Sequence, residues 1–167
     1  MILSKNEILK LIKKKKVVIT PFSKNQVGPA SIDLTLGNEF RVYKKKTKID
    51  LKEATDYRKF TEPVTIDEIT LKPREFILGI SKEKIKLPLD ICGILTGRSR
   101  FARLGLAIHA TASLIQPGVN NKQVFEITNF SDNELTLHAG TKICQLMLVK
   151  TKGKSKYSGQ YAKQEKP

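Results

Sequence analysis

The sequence is poor in the residues on which several classes of protein depend. It contains two cysteines, Cys92 and Cys144. Both lie in apolar, strand-like runs, so the sequence predicts buried reduced thiols and no disulfide scaffold. No apolar run approaches the roughly 18 residues that a membrane-spanning helix needs, and the first residues lead into a basic segment unlike a signal peptide. We therefore expect a cytoplasmic protein.

Histidine is equally scarce. His109 and His138 are single residues with no close ligand spacing to either cysteine. The H-x-E and P-C-x-x-C motifs of zinc-dependent nucleobase deaminases are absent. The sequence therefore predicts no catalytic zinc and two structural histidines at strand ends. Hydrolytic chemistry would have to depend on carboxylates and ordered water.

Positive charge, by contrast, is abundant. The chain has 31 Lys and Arg residues against 16 Asp and Glu, which gives a net charge of +15. Such an excess favours a polyanionic partner, which could be a nucleic acid, an anionic surface or a triphosphate. The lysines are scattered as on a solvated surface, and Phe101 is the one aromatic residue in the arginine-rich segment, so nucleic-acid binding is disfavoured.

The sequence from Ser4 to Glu7 has the spacing of a capping box and predicts the start of a helix. Ile8, Leu11 and Ile12 would form its apolar face. The length and composition predict one domain over residues 1–150. Residues 151–167 lose apolar side chains and are predicted to form a mobile tail that could serve as a lid.

The rest of the chain has the pattern of a β-rich protein. Alternation on both sides of Gly37–Asn38 predicts a hairpin made of strands 32–36 and 39–43. Residues 44–63 predict an extended surface loop with little function. Further short strands are predicted at residues 17–19, 75–80, 91–95, 104–109, 123–128, 135–138 and 142–149. Many short strands predict a barrel or a jelly roll.

The densest group of polar candidates lies between Gly97 and Arg103. It contains Arg98, Arg100, Arg103 and the hydroxyl of Ser99. Arginine forms bidentate, charge-assisted hydrogen bonds with phosphate oxygens, so the segment is suited to a phosphate group. A basic solvated turn explains the composition equally well.

Glu126 is a single carboxylate among the apolar residues Val124, Phe125 and Ile127. If it points into the core, desolvation would raise its pKa and favour general acid/base chemistry. If it points outward, strand alternation makes it an ordinary exposed residue, and alternation alone favours this second interpretation.

Several separate motifs occur in an order that resembles the dCTP deaminase family. They are Gly28-Pro29-Ala30-Ser31-Ile32-Asp33-Leu34, Gly97-Arg98-Ser99, Ala102-Arg103-Leu104-Gly105-Leu106, His109-Ala110-Thr111-Ala112, Pro117-Gly118, Glu126 and Lys156-Tyr157-Ser158-Gly159-Gln160. The resemblance implies a mainly β, distorted dUTPase-like jelly roll that forms a homotrimer with active sites between subunits. It also implies deamination of dCTP to dUTP and ammonia.

The resemblance further implies the roles of individual residues. Glu126 would be the general acid/base, Ser99 and the carbonyl of Ala112 would orient the attacking water, and Arg103 would support the site. Substrate contacts are implied for three groups of residues. The first would lie near a triphosphate that arrives with Mg²⁺ and comprises Arg98, Arg100, Phe101 and Ala102. The second would recognise the pyrimidine through its backbone and comprises Val124 and Phe125, and the third would also contact the nucleotide and comprises Gln145 and the tail residues Lys156, Tyr157 and Gln160.

Two residues depart from the pattern of the family. Gln116 replaces a usual Asp that contacts the deoxyribose, and Arg100 replaces a usual Ser. An amide cannot serve as a comparable base, so pyrophosphohydrolysis is disfavoured, although Gln116 can still hydrogen-bond a hydroxyl. The alternatives to a dCTP deaminase are a dUTPase or bifunctional dUMP-forming enzyme, and a nucleotide-binding relative without catalysis.

Overall fold

The computed structural model describes residues 1–44 and 47–167, and the described part is mainly β. Its helices are α1 (Lys5–Lys13) and α2 (Ser99–Ala102), with 3-10 turns at Lys24–Gln26 and Tyr57–Lys59. Its strands are β1 (Val18–Thr20), β2 (Ile32–Tyr43), β3 (Thr61–Thr65), β4 (Glu68–Leu71), β5 (Phe76–Lys86), β6 (Ile91–Gly97), β7 (Leu106–Ile108), β8 (Leu114–Ile115), β9 (Asn120–Asn129), β10 (Leu135–His138) and β11 (Lys142–Lys150).

Most strands form one antiparallel sheet. Its order is β7-β9-β5-β2-β11-β6-β8, with β1 paired to β5 and β3 paired to β2. Strands β4 and β10 form a separate two-stranded sheet. Some neighbours in the large sheet are distant in sequence. Strand β2, near the start of the chain, pairs with β11, near its end.

The core consists of alternate residues of the long strands. In β9 every second residue, from Asn121 to Asn129, is buried, and Phe125 and Ile127 are fully so. Phe40 of β2 and Leu146 of β11 are also fully buried. This alternation places the intervening residues of each strand on the opposite face of the sheet.

Helix α1 begins after Ser4, as the sequence predicts, and buries Ile8 against the core. The predicted capping box is wrong in detail, because Ser4 makes no side-chain cap bond and Glu7 pairs with Lys10 at 3.5 Å. A capping box forms instead between Ser23 and Gln26. Within residues 1–44 and 47–167, no helix combines the length and apolar character needed to cross a bilayer.

The hairpin predicted at Gly37–Asn38 is also wrong. Strand β2 runs without interruption from Ile32 to Tyr43, and its register with β5 shifts between Leu36 and Phe40. A Cβ at Gly37 would lie 3.0 Å from the carbonyl oxygen of Ile80. The glycine is therefore required by a close approach of two strands and not by a turn.

The expectation for residues 44–63 needs correction as well. Thr61–Thr65 forms strand β3, paired to β2, where a loop was predicted. Its proline and its exposed Glu62 are typical of an edge strand, which period-two hydrophobicity does not reveal. Residues 45–46 of this segment lie outside the described residues.

Both cysteines are free, as predicted. Cys144 is fully buried, and burial raises the pKa of its thiol to about 12. Cys92 is half-buried, with its Sγ 3.6 Å from the carbonyl oxygen of Val149.

One carboxylate is buried inside the fold. Glu83 of β5 is 1% exposed and accepts hydrogen bonds from Gln26 Nε2 and from the backbone amide of Thr35, both at 2.8 Å. It thereby joins the 3-10 turn before β2 to the centre of the sheet. A buried carboxylate is tolerated when donors satisfy it in this way.

Replacing Glu83 with Ala would remove the side-chain acceptor of the Thr35 amide and one of the two acceptors of Gln26 Nε2, which would keep the Asp33 carbonyl. We expect the free energy of unfolding to fall by about 3 kcal/mol. Urea unfolding at fixed protein concentration measures it. The control Glu62→Ala alters an exposed residue of β3 and should change stability by less than about 0.5 kcal/mol. A loss for Glu83→Ala no larger than that of the control would contradict the assignment.

Candidate active site

A cavity of about 580 Å³ lies over the outer face of β9, and Glu126 is in its wall. Glu126 is half-buried, on the face of the strand opposite to Phe125 and Ile127. Alternation therefore directs the side chain outward, as the sequence favours, but into a cavity and not into bulk solvent. Among the described residues that line this cavity, Glu126 is the one carboxylate.

The loop after β7 holds the Glu126 carboxylate. Its Oε2 accepts hydrogen bonds from the amide of Thr111 at 2.9 Å and from the amide of Ala112 at 3.4 Å. The Thr111 hydroxyl also lies 3.4 Å from the same oxygen. Within the described part of the chain Oε1 accepts no hydrogen bond, so this oxygen is available to a water or a ligand. Ala112 contacts Glu126 through its amide, whereas the family resemblance assigns a role to its carbonyl.

His109 lies beside Glu126 because β7 pairs with β9. Its amide donates to the Glu126 carbonyl at 2.9 Å, and its ring meets Phe125 edge-on at 5.6 Å. Both ring nitrogens are buried without a hydrogen-bond partner among the described residues, and the backbone has φ of +63°. Burial lowers the pKa of His109 to about 4, against the opposing effect of the Glu126 charge. The ring is therefore neutral at neutral pH.

Other predicted site residues meet the same cavity. Gln116, Val124 and Tyr157 line it together with Ala112. Phe125, in contrast, is fully buried in the core, so only its backbone is open to a ligand from this side.

Part of the cavity wall was not predicted from the sequence. Leu78, which pairs directly with Glu126 across β5 and β9, lies in it. Tyr57 also lines the cavity, although its segment was expected to have little function. A tyrosine within a charged, weakly periodic segment gives no signal that it will fold back over a distant strand.

The arginine-rich segment occupies a different place. Ser99 and Ala102 of α2 line a second cavity, of about 510 Å³, that shares no lining residue with the first. Arg100 and Arg103 are exposed, and Phe101 packs partly against the core. The structure therefore divides the predicted catalytic residues of one chain into two groups, with Glu126 and Ala112 apart from Ser99 and Arg103.

Arg98, at the start of this segment, lies close to Gln145 of β11. Both side chains contact the Asp33 carboxylate. Its Oδ2 lies 3.3 Å from Nη2 of Arg98, and its Oδ1 lies 3.4 Å from Nε2 of Gln145. Arg98 also donates through Nη1 to the carbonyl of Lys142 at 2.9 Å.

The tail packs along the main cavity. The amide of Tyr157 donates to the Pro117 carbonyl at 3.0 Å, and the amide of Lys122 donates to the Gln164 carbonyl at 2.9 Å. Two further cavities lie along the tail. Lys156 lines one of them together with Gln116, and Gln160 lines the other. The mobility of the tail stays a prediction.

No three His, Cys, Asp or Glu side chains come together as metal ligands in residues 1–44 and 47–167. His138, the second histidine, is exposed at the end of β10 and lies 3.2 Å from Glu68.

Comparison with known proteins gives consistent matches. The family model described as dCTP deaminase-like matches residues 2–151. A "dCTP deaminase, dUMP-forming" of Methanobrevibacter smithii is 34% identical over 99% of this chain and 92% of its own length. A protein of the same name from Corynebacterium kroppenstedtii is 40% identical over 89% of this chain and 81% of its own.

Solved structures show the same architecture. A crystal structure of 2'-deoxycytidine 5'-triphosphate deaminase from Agrobacterium tumefaciens superposes with a TM-score of 0.69 at 21% identity, over 88% of this chain. The chain spans about half of that protein, 47%. A mutant dUTPase from phage phi11 of S. aureus gives a TM-score of 0.53 at 14% identity, over 86% of this chain and 96% of its own. The fold is therefore mainly β and dUTPase-like.

His109, which is half-buried with both ring nitrogens buried, should make stability depend on pH. Its folded-state pKa of about 4 lies below the ordinary 6.5. Between these values the unfolded chain binds a proton that the folded protein does not, so stability should fall as the pH decreases through this window. The total loss would be about 3 kcal/mol.

Urea unfolding at a series of pH values tests this expectation when wild type is compared with His109→Asn. Asparagine tolerates the left-handed backbone and cannot titrate. The variant should lose the dependence, whereas His138→Asn should keep it. An identical pH dependence in wild type and His109→Asn would contradict the assignment.

Proposed function

The chain belongs to the dCTP deaminase-like family, and on this basis we propose that it hydrolyses dCTP to dUTP and ammonia. It is a hydrolase that acts on the C–N bond at the cytosine C4. The observation that carries the proposal is the position of Glu126, the one carboxylate among the described lining residues of the cavity on β9.

The proposed chemistry needs one proton carrier. Glu126 takes a proton from a water as the water oxygen adds to C4 of the cytosine ring. It delivers this proton to N3 of the ring and then moves the proton of the new C4 hydroxyl to the amino nitrogen, so the C4–N bond breaks, ammonia leaves and C4=O remains. One dCTP and one water give one dUTP and one ammonia. Oε1 of Glu126 would carry out this exchange, because the Thr111 and Ala112 amides donate to Oε2.

A neighbouring subunit would complete the site. Within one chain Ser99 lines a cavity separate from that of Glu126, and Arg103 directly follows α2, outside the Glu126 cavity. In a homotrimer with active sites between subunits, the α2 segment of one copy meets the Glu126 cavity of the next. The exposed Leu104 (62%) and Phe130 (72%), near α2, are suited to burial in such an interface.

The triphosphate end of the substrate needs positive charge. Arg98 and Arg100, with the backbone around Phe101 and Ala102, would receive the phosphates of the Mg²⁺ complex of dCTP. Three tail residues, Lys156, Tyr157 and Gln160, would cover the bound nucleotide. Val124 and Phe125 would read the pyrimidine edge through their backbone groups, and Gln116 would bond the deoxyribose hydroxyl.

A second candidate product is favoured by the relatives, whose printed name is "dCTP deaminase, dUMP-forming". Forming dUMP requires a second water to attack phosphorus, and that water needs a base. Gln116 is not a base, which is why dUTP is the proposed product. Release of pyrophosphate from dUTP supplied alone would favour the dUMP-forming alternative.

The proposed substrate and the two free thiols fit a cytoplasmic enzyme. A cytoplasmic location is therefore part of the proposal.

Replacing Glu126 with Gln keeps the shape of the side chain and removes the proton carrier. We expect ammonia release from dCTP to fall by at least about 100-fold, with binding of dCTP retained. Ammonia is measured enzymatically, and binding is measured by calorimetry. Glu62→Gln, on exposed β3, is the matched control and should keep full activity. Near-full activity of Glu126→Gln would remove Glu126 from the mechanism.

Mixed trimers test whether two subunits build one site. Glu126→Gln and Arg103→Ala should each be inactive alone. Co-expression in equal amounts should restore about a quarter of the sites, because each intact site needs Glu126 from one copy and Arg103 from its neighbour. A mixture no more active than its parents would show that both residues act within one chain.

A further inference from the structure

We propose that Asp33 is a positioning residue that holds Arg98 and Gln145 in one orientation for the substrate phosphates. The proposal rests on the proposed function, because it concerns how the triphosphate is bound. Asp33 belongs to a motif that the family resemblance includes but to which the mechanism gives no role.

The sheet brings the three side chains together. Asp33 of β2 lies directly opposite Gln145 of β11 in the antiparallel register. Gln145 in turn lies opposite Thr96 of β6, and Arg98 follows the last residue of that strand. The Asp33–Gln145 contact is therefore set by a strand pairing, and Arg98 lies at the end of a second strand that pairs with β11.

The two carboxylate oxygens of Asp33 serve different partners. Oδ2 lies 3.3 Å from Nη2 of Arg98, and Oδ1 lies 3.4 Å from Nε2 of Gln145. The side chains of Arg98 and Asp33 are 23% and 16% exposed. A pair with this little solvent is more effective than an exposed surface pair.

These contacts determine which groups remain for a ligand. A carboxylate only accepts hydrogen bonds, so the amide nitrogen of Gln145 must face Asp33 and Ser31, which leaves the amide oxygen for another partner. Arg98 uses Nη1 for the Lys142 carbonyl and Nη2 for Asp33. Its Nε makes no hydrogen bond within the described residues, and this face of the guanidinium remains for a phosphate oxygen.

Two effects of Asp33 oppose each other. Its negative charge repels a triphosphate, whereas its contacts keep Arg98 in place. Asparagine in its place removes the repulsion, but its NH₂ group meets the donors of Arg98 or Gln145, so one of the two contacts is lost. A purely electrostatic role predicts tighter binding in Asp33→Asn, and a positioning role predicts weaker binding.

The test is Asp33→Asn, assayed for kcat and KM on dCTP with Mg²⁺ and for Kd by calorimetry. We expect KM and Kd to rise by about tenfold and kcat to change by less than about threefold. In the Arg98→Ala background the same substitution should have a clearly smaller effect, because only the contact of Asp33 with Gln145 remains to be lost. Glu39→Gln removes a charge from the same strand and is the matched control.

An unchanged or lower KM in Asp33→Asn would overturn the proposal, and so would effects that add fully to those of Arg98→Ala. A fall in kcat together with lost thermal stability would indicate a merely structural role and would also overturn it. Calorimetry separates this proposal from the proposed function. Binding of dCTP without ammonia release refutes deamination alone, whereas ammonia release with unaltered Kd in Asp33→Asn refutes positioning alone.

Discussion

The site depends on the strict alternation of β9 in the large sheet. Phe125 and Ile127 are fully buried, and this fixes Glu126 on the opposite face, where β5 and β7 flank it. A slip of one residue would turn Glu126 into the core and expose the two large apolar side chains, so the free energy of core packing also holds the register of the site. The same pairing brings His109 and the loop that donates to Glu126 into contact with it.

Negative charge is used sparingly in a chain of net charge +15. Glu83 joins the first 3-10 turn to the sheet, Glu126 is the carboxylate of the cavity on β9, and Asp33 contacts Arg98. The surrounding excess of lysine and arginine would attract a triphosphate at long range. Of these three carboxylates, Asp33 pairs with an arginine, whereas Glu83 and Glu126 accept hydrogen bonds from amide groups.

The sequence predicts local features better than contacts between distant segments. The start of α1, the strands around Glu126 and the free thiols follow from patterns within a few residues, and the structure confirms them. Gly37 was misread, because glycine in a turn and glycine at a close strand approach look alike in sequence. Tyr57 in the cavity wall, and the separation of Ser99 from Glu126, depend on long-range pairing that no short pattern encodes. The family resemblance supplied the roles that spacing alone could not.

Water attack at the cytosine C4 is tested most directly by following the oxygen atom of water. Wild-type protein is incubated with dCTP and Mg²⁺ in water labelled with heavy oxygen, and the products are analysed by mass spectrometry. We predict dUTP with one labelled oxygen on the uracil ring, an equal amount of ammonia and no label on any phosphate. Label on a phosphate in addition to the ring would identify the dUMP-forming reaction. A nucleotide base without label would contradict deamination by this site.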